Sequence, residues 1–385
     1  MSKAYAGLKV LDFTTTISGP HCTRLLADLG AEVIKVEAPE GDMMRMRPPQ
    51  RNGASTAFGQ LNAGKKSVAL DLKDPRAIAA LRRLVADVDV LVENFRPGVM
   101  ARLGLDYASL APLNPRLVYC SISGYGQTGP SSQLPAYAPV IHAASGYDRA
   151  HLSYQMGRER PDYCGIFVAD VGAGAYAFGA IGAALHQRAQ TGKGQHVDVS
   201  MMETMLGMTL NEVQAAQFQV PPPGRPLFGP MRTAEGYVMV AIASERTFQG
   251  FLAAMGRPDL EQDPRFARYV DRRLNWGELM DIAEAWSEQL GSDACLAALD
   301  ANGVPCSHYR TVAEAMADPQ IAHRRALAEI HDAGGTFKVV NPPFRMSGGS
   351  TDASGNVSAK LGEHTREVLR AAGLDDAEIA ALGQE

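Results

Sequence analysis

Asp170 is the side chain whose surroundings most suggest chemistry. It closes Gly165-Ile-Phe-Val-Ala-Asp170 and precedes a long run of small residues, Val171-Gly-Ala-Gly-Ala-Tyr-Ala-Phe-Gly-Ala-Ile-Gly-Ala-Ala-Leu185. Gly172, Gly174, Gly179 and Gly182 each disfavour a helix by roughly 1 kcal/mol relative to Ala. A helix that keeps them needs close backbone approach to another element or to a ligand. The pattern therefore places an acid at the mouth of a tightly packed helix, where the N-terminus favours negative charge. A carboxylate there is either a helix N-cap or a reactive group, and residue types alone leave both readings open.

Other chemistries find less support. There is no H-E-x-x-H for zinc hydrolysis and no G-x-S-x-G elbow for a serine nucleophile. Cys22, Cys120, Cys164, Cys295 and Cys306 form no C-x-x-C pair, so neither a metal knuckle nor a disulfide framework is expected. A reduced, cytoplasmic setting and no bound metal follow as expectations. The net charge of -5 gives no reason to expect nucleic acid or an anionic membrane as partner. The N-terminus lacks a signal-peptide h-region, and no uninterrupted apolar segment reads as a membrane span.

The elements that must position Asp170 form an alternating series. Leu8–Phe13 reads as a strand, Gly19-Pro20 opens a helix to about Leu29, and Ala31–Glu37 is the next strand. Val68–Leu72, Val88–Glu93 and Leu117–Ser123 continue the strands, with a helix between Asp74 and Ala86. After the helix that follows Asp170, His196–Ser200 alternates like a strand. Strand, helix and strand in alternation predict an α/β fold with a large Rossmann-like, doubly wound domain. The βαβ opening, ending in the acid Glu37, has the outline of a nicotinamide-binding unit. Its turn, Thr14-Thr-Thr-Ile-Ser-Gly-Pro20, nonetheless lacks two of the three fingerprint glycines, which excludes that reading.

At 385 residues the chain is long for one domain. Residues 1–200 are assigned to the large domain, completed by a tail of about 330–385. Residues 201–224, with the stiff Pro221-Pro-Pro-Gly-Arg-Pro226, are read as a linker, and 225–325 as a smaller α+β domain.

Taken together these segments resemble the family III CoA-transferases, the CaiB/BaiF group typified by formyl-CoA transferase. The resemblance is carried by Leu11-Asp-Phe-Thr14 with Gly19-Pro20, by Leu29-Gly-Ala-Glu-Val-Ile-Lys-Val-Glu37, and by Gly41-Asp42, Asn62 and Lys65-Lys-Ser67. Leu70-Asp-Leu-Lys73, Val92-Glu-Asn-Phe-Arg-Pro-Gly98 and Ser123-Gly-Tyr-Gly-Gln-Thr-Gly-Pro130 extend it. Asp170 with its glycine-rich helix, Thr191-Gly-Lys-Gly-Gln195, Asp263-Pro-Arg-Phe266 and Gly303-Val-Pro305 complete an ordered set that spans nearly the whole chain.

The resemblance implies that Asp170 is the nucleophile of a reversible acyl-CoA:carboxylate CoA-transferase, working through an aspartyl mixed anhydride and an aspartyl-CoA thioester. It implies that Thr16, Leu70, Lys73, Asn94, Phe95, Arg102 and Tyr137 hold coenzyme A, with Lys73 and Arg102 suited to its phosphates. It also implies an interlocked homodimer whose partner's small domain helps to close the acyl pocket. The structural alternatives are a core role for Phe95 and a capping role for Lys73. Three positions depart from formyl-CoA transferase: Ala38 for an arginine, Ile17 for a glutamine and Pro135 for a lysine. Oxalate and formate are therefore poor substrate choices. Racemases of the family pair the acid with a histidine, but Tyr137 stands at that position, and a phenol is a weak base for α-proton abstraction. His142 nearby is read as structural or as a polar wall. An α-methylacyl-CoA racemase, an intramolecular CoA-transfer isomerase and a non-catalytic CoA-binding protein are the alternatives.

Overall fold

Neighbouring residues in the strands face opposite cores, which is what a sheet covered on both sides requires. The computed structural model describes residues 3–155, 157–218 and 227–383. Six strands build the main sheet: β1 (Lys9–Asp12), β2 (Glu32–Glu37), β3 (Lys66–Ala69), β4 (Val90–Glu93), β5 (Val118–Ser123) and β6 (Gln195–Ser200). Their order is β3-β2-β1-β4-β5-β6, and every pairing is parallel. This is the doubly wound arrangement, in which the winding direction reverses between β1 and β4.

Val10, Val33, Val90 and Val118 point to one core, with α1 (Ser18–Asp28) and the long helix after Asp170. Leu11, Ile34, Leu91 and Tyr119 point to the other, with α2 (Pro75–Val85) and, from the C-terminal tail, α9 (Thr365–Ala371). The strand and helix expectations hold to within a few residues. The third strand runs Lys66–Ala69 rather than Val68–Leu72, although the Leu70 N–H still bonds the Glu37 carbonyl of β2 at 2.9 Å.

Between β5 and β6 lie α3 (Ala138–Ala144) and α4 (Val168–Thr191). By length and composition alone α4 is apolar enough to cross a membrane, although Asp170 and Arg188 interrupt its apolar run. Here its stripe of Ala169, Ala173, Ala177, Ile181 and Ala184 packs into the first core, and Arg188 closes it with an ion pair to Asp89. Close approach is real at two of its glycines. A Cβ on Gly174 would stand 2.5 Å from the Ser18 carbonyl oxygen of α1, and one on Gly172 would stand 2.5 Å from Met208. Gly179 has nothing within 4 Å, so the packing argument does not extend to it.

The chain divides into two compact units, residues 1–210 with 319–385, and 211–318. Residues 201–208, expected to begin a linker, form helix α5 of the first unit, with Met201, Thr204 and Met205 buried. Within the C-terminal part of the first unit lies the antiparallel pair β10 (Leu327–Asp332) and β11 (Gly335–Val340). Residues 221–226 lie outside the described residues. The second unit carries β7 (Phe228–Thr233), β8 (Gly236–Ala241) and β9 (Cys306–His308), ordered β9-β8-β7 and antiparallel. Helices α6 (Glu245–Met255), α7 (Trp276–Ser287) and α8 (Ser292–Ala301) contribute Phe248, Phe251, Leu279 and Leu299 to its own core.

Charged side chains are buried at the C-terminal ends of the strands. Lys65 Nζ donates to Asp12 Oδ2 (3.0 Å), Thr23 Oγ1 (2.7 Å) and Asn62 Oδ1 (2.8 Å). The other Asp12 oxygen accepts the Thr14 N–H at 2.9 Å and the Thr14 hydroxyl at 2.5 Å. Lys35 Nζ donates to the Thr14 carbonyl (2.6 Å) and to Asp42 (3.0 Å), and Asp42 accepts the Thr16 N–H at 3.3 Å. Burial opposes ionisation of Asp12, but Lys65, Lys35 and the two threonines outweigh it and hold its carboxyl below the usual range. Burial brings Lys65 down to about 8 against the pull of Asp12.

Two stability measurements test this frame. Lys65→Met leaves Asp12 buried beside a lost partner and is expected to cost about 3 kcal/mol or more in urea unfolding, whereas Arg76→Ala at the exposed Arg76–Asp74 pair leaves the midpoint unchanged. Gly174→Ala is expected to destabilise by about 1–3 kcal/mol through overpacking, while Gly179→Ala gains up to about 1 kcal/mol from helix propensity. Equal effects at the two glycines would contradict the packing account.

Candidate active site

The buried network ends in a loop with an unusual backbone. Thr16 sits at φ 68°, a left-handed conformation that side chains rarely adopt, and its N–H is held by Asp42. Asn94, one residue beyond β4, locks the same loop from the other side. Its Oδ1 accepts the Thr15 N–H at 2.8 Å, and its Nδ2 donates to the Thr15 carbonyl at 2.8 Å and to Ser18 Oγ at 3.2 Å. The loops after β1 and β4 are thereby fastened together where the winding reverses, the place where doubly wound sheets open a crevice.

A cavity of about 540 Å³ occupies that crevice. Thr16, Asn94, Phe95, Tyr137 and Asp170 all line it, so the structure gathers five of the sequence-predicted site residues. It does not bring in Leu70, Lys73 or Arg102. The Leu70 side chain is buried in the second core. Lys73 lies in the turn before α2 and Arg102 at the end of a short helix, both exposed. Lys73 does not cap with its side chain; its N–H joins the Asp71 carboxylate in a turn. Phe95 is partly buried against the second core while one side faces the cavity.

Asp170 is the third residue of α4, not its N-cap, and that helix has no side-chain cap at Phe167. The backbone N–H of Ser18, the first residue of α1, lies on the side of its carboxylate and favours the ionised form. Helix α1 has no acidic residue in its own first turn and no capping side chain, so the anion at its N-terminus comes from α4. The short Gly174–Ser18 approach makes this reach possible. Burial pushes the Asp170 carboxyl up to about 6, against the effect of the Ser18 N–H.

His142 has a structural task. It is buried, and its Nε2 accepts the N–H of Ala169 at 3.1 Å, satisfying a donor in the first turn of α4. Burial lowers its pKa against the effect of Asp148, which suits a neutral acceptor. With Nε2 engaged, it presents no free base to the cavity.

Sequence reasoning missed three contributors. Ser18 acts through its backbone, for which side-chain patterns carry no signal. Arg96 lines the cavity beside Phe95 and lies inside Asn94-Phe-Arg-Pro97, so its motif position was a usable signal. Arg47 lines the cavity from the segment after β2, which carries no periodicity. Ile17, the residue that departs from formyl-CoA transferase, also lines it and makes that wall apolar. Among the lining residues are no histidine and no carboxylate other than Asp170.

Comparison with known proteins accords with this geometry. Residues 5–365 match the model of CoA-transferase family III. The chain is 32% identical over 382 residues to the succinate–glutarate CoA-transferase of Agrobacterium fabrum, covering 94% of each. It is 35% identical over 394 residues to the succinyl-CoA–D-citramalate CoA-transferase of Chloroflexus aurantiacus, covering 97% of this chain and 96% of that one. A crystal structure of a CaiB/BaiF family protein from Brucella suis shares its fold with TM-score 0.83 at 32% identity, over 97% of this chain and 100% of that one. A parallel sheet with an acid-bearing crevice at its switch point, matched across nearly the whole length, makes this chain a member of CoA-transferase family III.

Proposed function

We propose that this CoA-transferase moves CoA reversibly between an acyl-CoA and a carboxylic acid, with Asp170 as covalent nucleophile. The observation that carries this reading is the placement of Asp170: it lines the crevice, caps nothing in its own helix and lies beside the N-terminus of α1. Attack of its carboxylate on the donor thioester forms an aspartyl–acyl anhydride and releases CoA thiolate. The thiolate attacks the aspartyl carbonyl, forming the enzyme–CoA thioester and releasing the donor acid. The acceptor carboxylate then attacks that thioester, giving a new anhydride and thiolate. Attack of the thiolate on the new acyl carbonyl yields product acyl-CoA and restores Asp170. Each step exchanges activated acyl linkages of similar energy, so the sequence runs in both directions. The positive end of α1 beside the aspartyl carbonyl favours the oxyanions formed there.

Coenzyme A, as co-substrate, is assigned to the β4 side of the crevice, with Phe95 and Tyr137 along its pantetheine arm and Lys73, Arg96 and Arg102 toward its phosphates. Leu70 has only backbone to offer, and Asn94 acts mainly by fixing the Thr15–Ser18 loop. The racemase alternative is disfavoured because Tyr137 and the engaged His142 supply no second base. An interlocked homodimer remains part of the proposal. It is supported by apolar side chains exposed in the first unit, Tyr163, Ile166, Val171, Tyr176 and Leu206. A cytoplasmic setting is supported by five free thiols.

Asp170→Ala is expected to lower transfer at least about a thousandfold while CoA still binds. Hydroxylamine added with a competent acyl-CoA should leave a hydroxamate on the Asp170 peptide, read by mass spectrometry. Solvent deuterium entering the acyl α-carbon without CoA exchange would sink the transferase mechanism. The transfer rate should fall as pH drops through about 6, where the carboxylate takes up its proton.

Stability changes in the opposite sense. A carboxyl raised from 3.8 to about 6 favours folding below its ordinary value and loses that contribution as pH rises through 6. Asp170→Asn should therefore match wild type near pH 4 and exceed it at pH 8 by on the order of 1 kcal/mol in urea unfolding, allowing for solvent screening.

A further inference from the structure

The turn that brings Phe95 to the crevice is closed by a side chain that the transfer chemistry does not use. Glu93 is the last residue of β4, and its Oε2 accepts the N–H of Phe95, two residues on, at 2.9 Å. Asn94, between them, binds the Thr15 backbone through both ends of its amide. One short turn thus serves both the loop that leads to Ser18 and the aromatic ring that lines the cavity.

Glu93 differs from the other buried acids of the first unit. Asp12, Asp28, Glu37 and Asp42 pair with Lys65, Arg24, Arg45 and Lys35 respectively. Glu93 is 4% exposed, yet no cation pairs with it among the described residues. Burial pushes its carboxyl up to about 7, against the Ser121 hydroxyl and the Phe95 N–H, while the Asp198 carboxylate adds to the rise. A buried acid without a counter-charge costs stability, so packing alone would be better served by a neutral side chain. What the acid supplies is a strong acceptor, because hydrogen bonds to an ionised group are roughly twice as strong as neutral ones.

The same side chain is aligned from the neighbouring strands. Ser121 on β5 stands opposite Glu93 in the parallel register, and its Oγ lies 2.9 Å from His196 Nε2 on β6. The His196 ring stacks on Tyr107 with centroids 5.7 Å apart. Glu93, Ser121, His196 and Tyr107 line a second cavity of about 270 Å³, and none of the four lines the crevice. Glu93 therefore reaches the crevice through the Phe95 backbone.

We propose that Glu93 is a positioning residue for coenzyme A: its carboxylate holds the turn that presents Phe95 to the pantetheine arm. The inference rests on the CoA-transfer reading above and adds a residue outside the crevice to it.

Calorimetric titration with CoA itself tests this without knowledge of the acyl group, because it reads affinity and the number of binding sites separately. Glu93→Leu, which removes the acceptor at similar volume, should raise the Kd for CoA about tenfold or more at unchanged stoichiometry. Glu93→Gln keeps a neutral acceptor and should restore most of the affinity, to within about threefold of wild type. In a Phe95→Ala background the effect of Glu93→Leu should shrink to about threefold or less, since the two then act through one contact. Should Glu93→Leu fail to fold, Glu93→Gln carries the same comparison, its smaller loss vanishing beside Phe95→Ala. An unchanged Kd, or a loss of binding sites with Kd unchanged, would make Glu93 a residue of the fold alone. An undiminished effect in the Phe95→Ala background would mean that it does not act through Phe95. Each of these results overturns the proposal and leaves transfer through Asp170 intact. A wild-type chain that did not bind CoA would instead defeat the CoA-transfer reading, and this inference with it.

Discussion

The buried contact between Lys65 and Asp12 is the constraint on which the site depends. Two charges leave water at the C-terminal end of the central strand, and isolated burial of either is costly. The cost is offset because every oxygen and proton of the pair is used: Asp12 takes Thr14 and Thr23, and Lys65 takes Thr23 and Asn62. Because these partners come from β1, from α1 and from the segment before β3, satisfying the pair also fixes how those elements meet. Lys35 and Asp42 continue the arrangement to the Thr14 carbonyl and the Thr16 N–H. The left-handed Thr16 is thus held in place by charge rather than by glycine.

That loop carries the buried network to the crevice. It delivers the N-terminus of α1 to a point where α4 can place a carboxylate, and the missing side chain at Gly174 permits the approach. Two opposing effects then act on Asp170. Burial raises its proton affinity, while the Ser18 N–H lowers it, and burial prevails. A carboxylate raised to about 6 is mostly ionised at neutral pH, yet only weakly stabilised by its surroundings, which suits the nucleophile proposed for it. The polar contacts that a nucleophile would otherwise draw on are occupied elsewhere: His142 caps α4, and Asn94 binds the Thr15 backbone.

The expected CoA residues divide according to the same logic. Thr16, Asn94, Phe95 and Tyr137 meet at the crevice because they follow β1, β4 and β5, whose C-terminal ends surround the switch point. Leu70 follows β3 at the sheet edge, and its apolar side chain goes into the core beneath α2. Lys73 and Arg102 stay exposed, as long cationic side chains do unless a partner repays their desolvation.

Much of this architecture is legible in the chain itself. Alternation of apolar runs with helical segments specifies a parallel sheet, because such strands must be covered on both faces. Asp170 ahead of glycines that a helix would not otherwise keep marks the tight contact and the acid that lines the crevice together. Tertiary structure decided what those patterns cannot carry. The 201–208 helix and the 327–340 hairpin owe their form to packing against a distant part of the chain. The use of Asp170 at another helix's N-terminus and of His142 as a cap rests on meetings between segments about 150 and 27 residues apart. Arg47 had no periodic signal at all, and only the fold brings it to the crevice. Local composition fixes which face of an element is buried; which buried groups meet is set by the topology that folds them together.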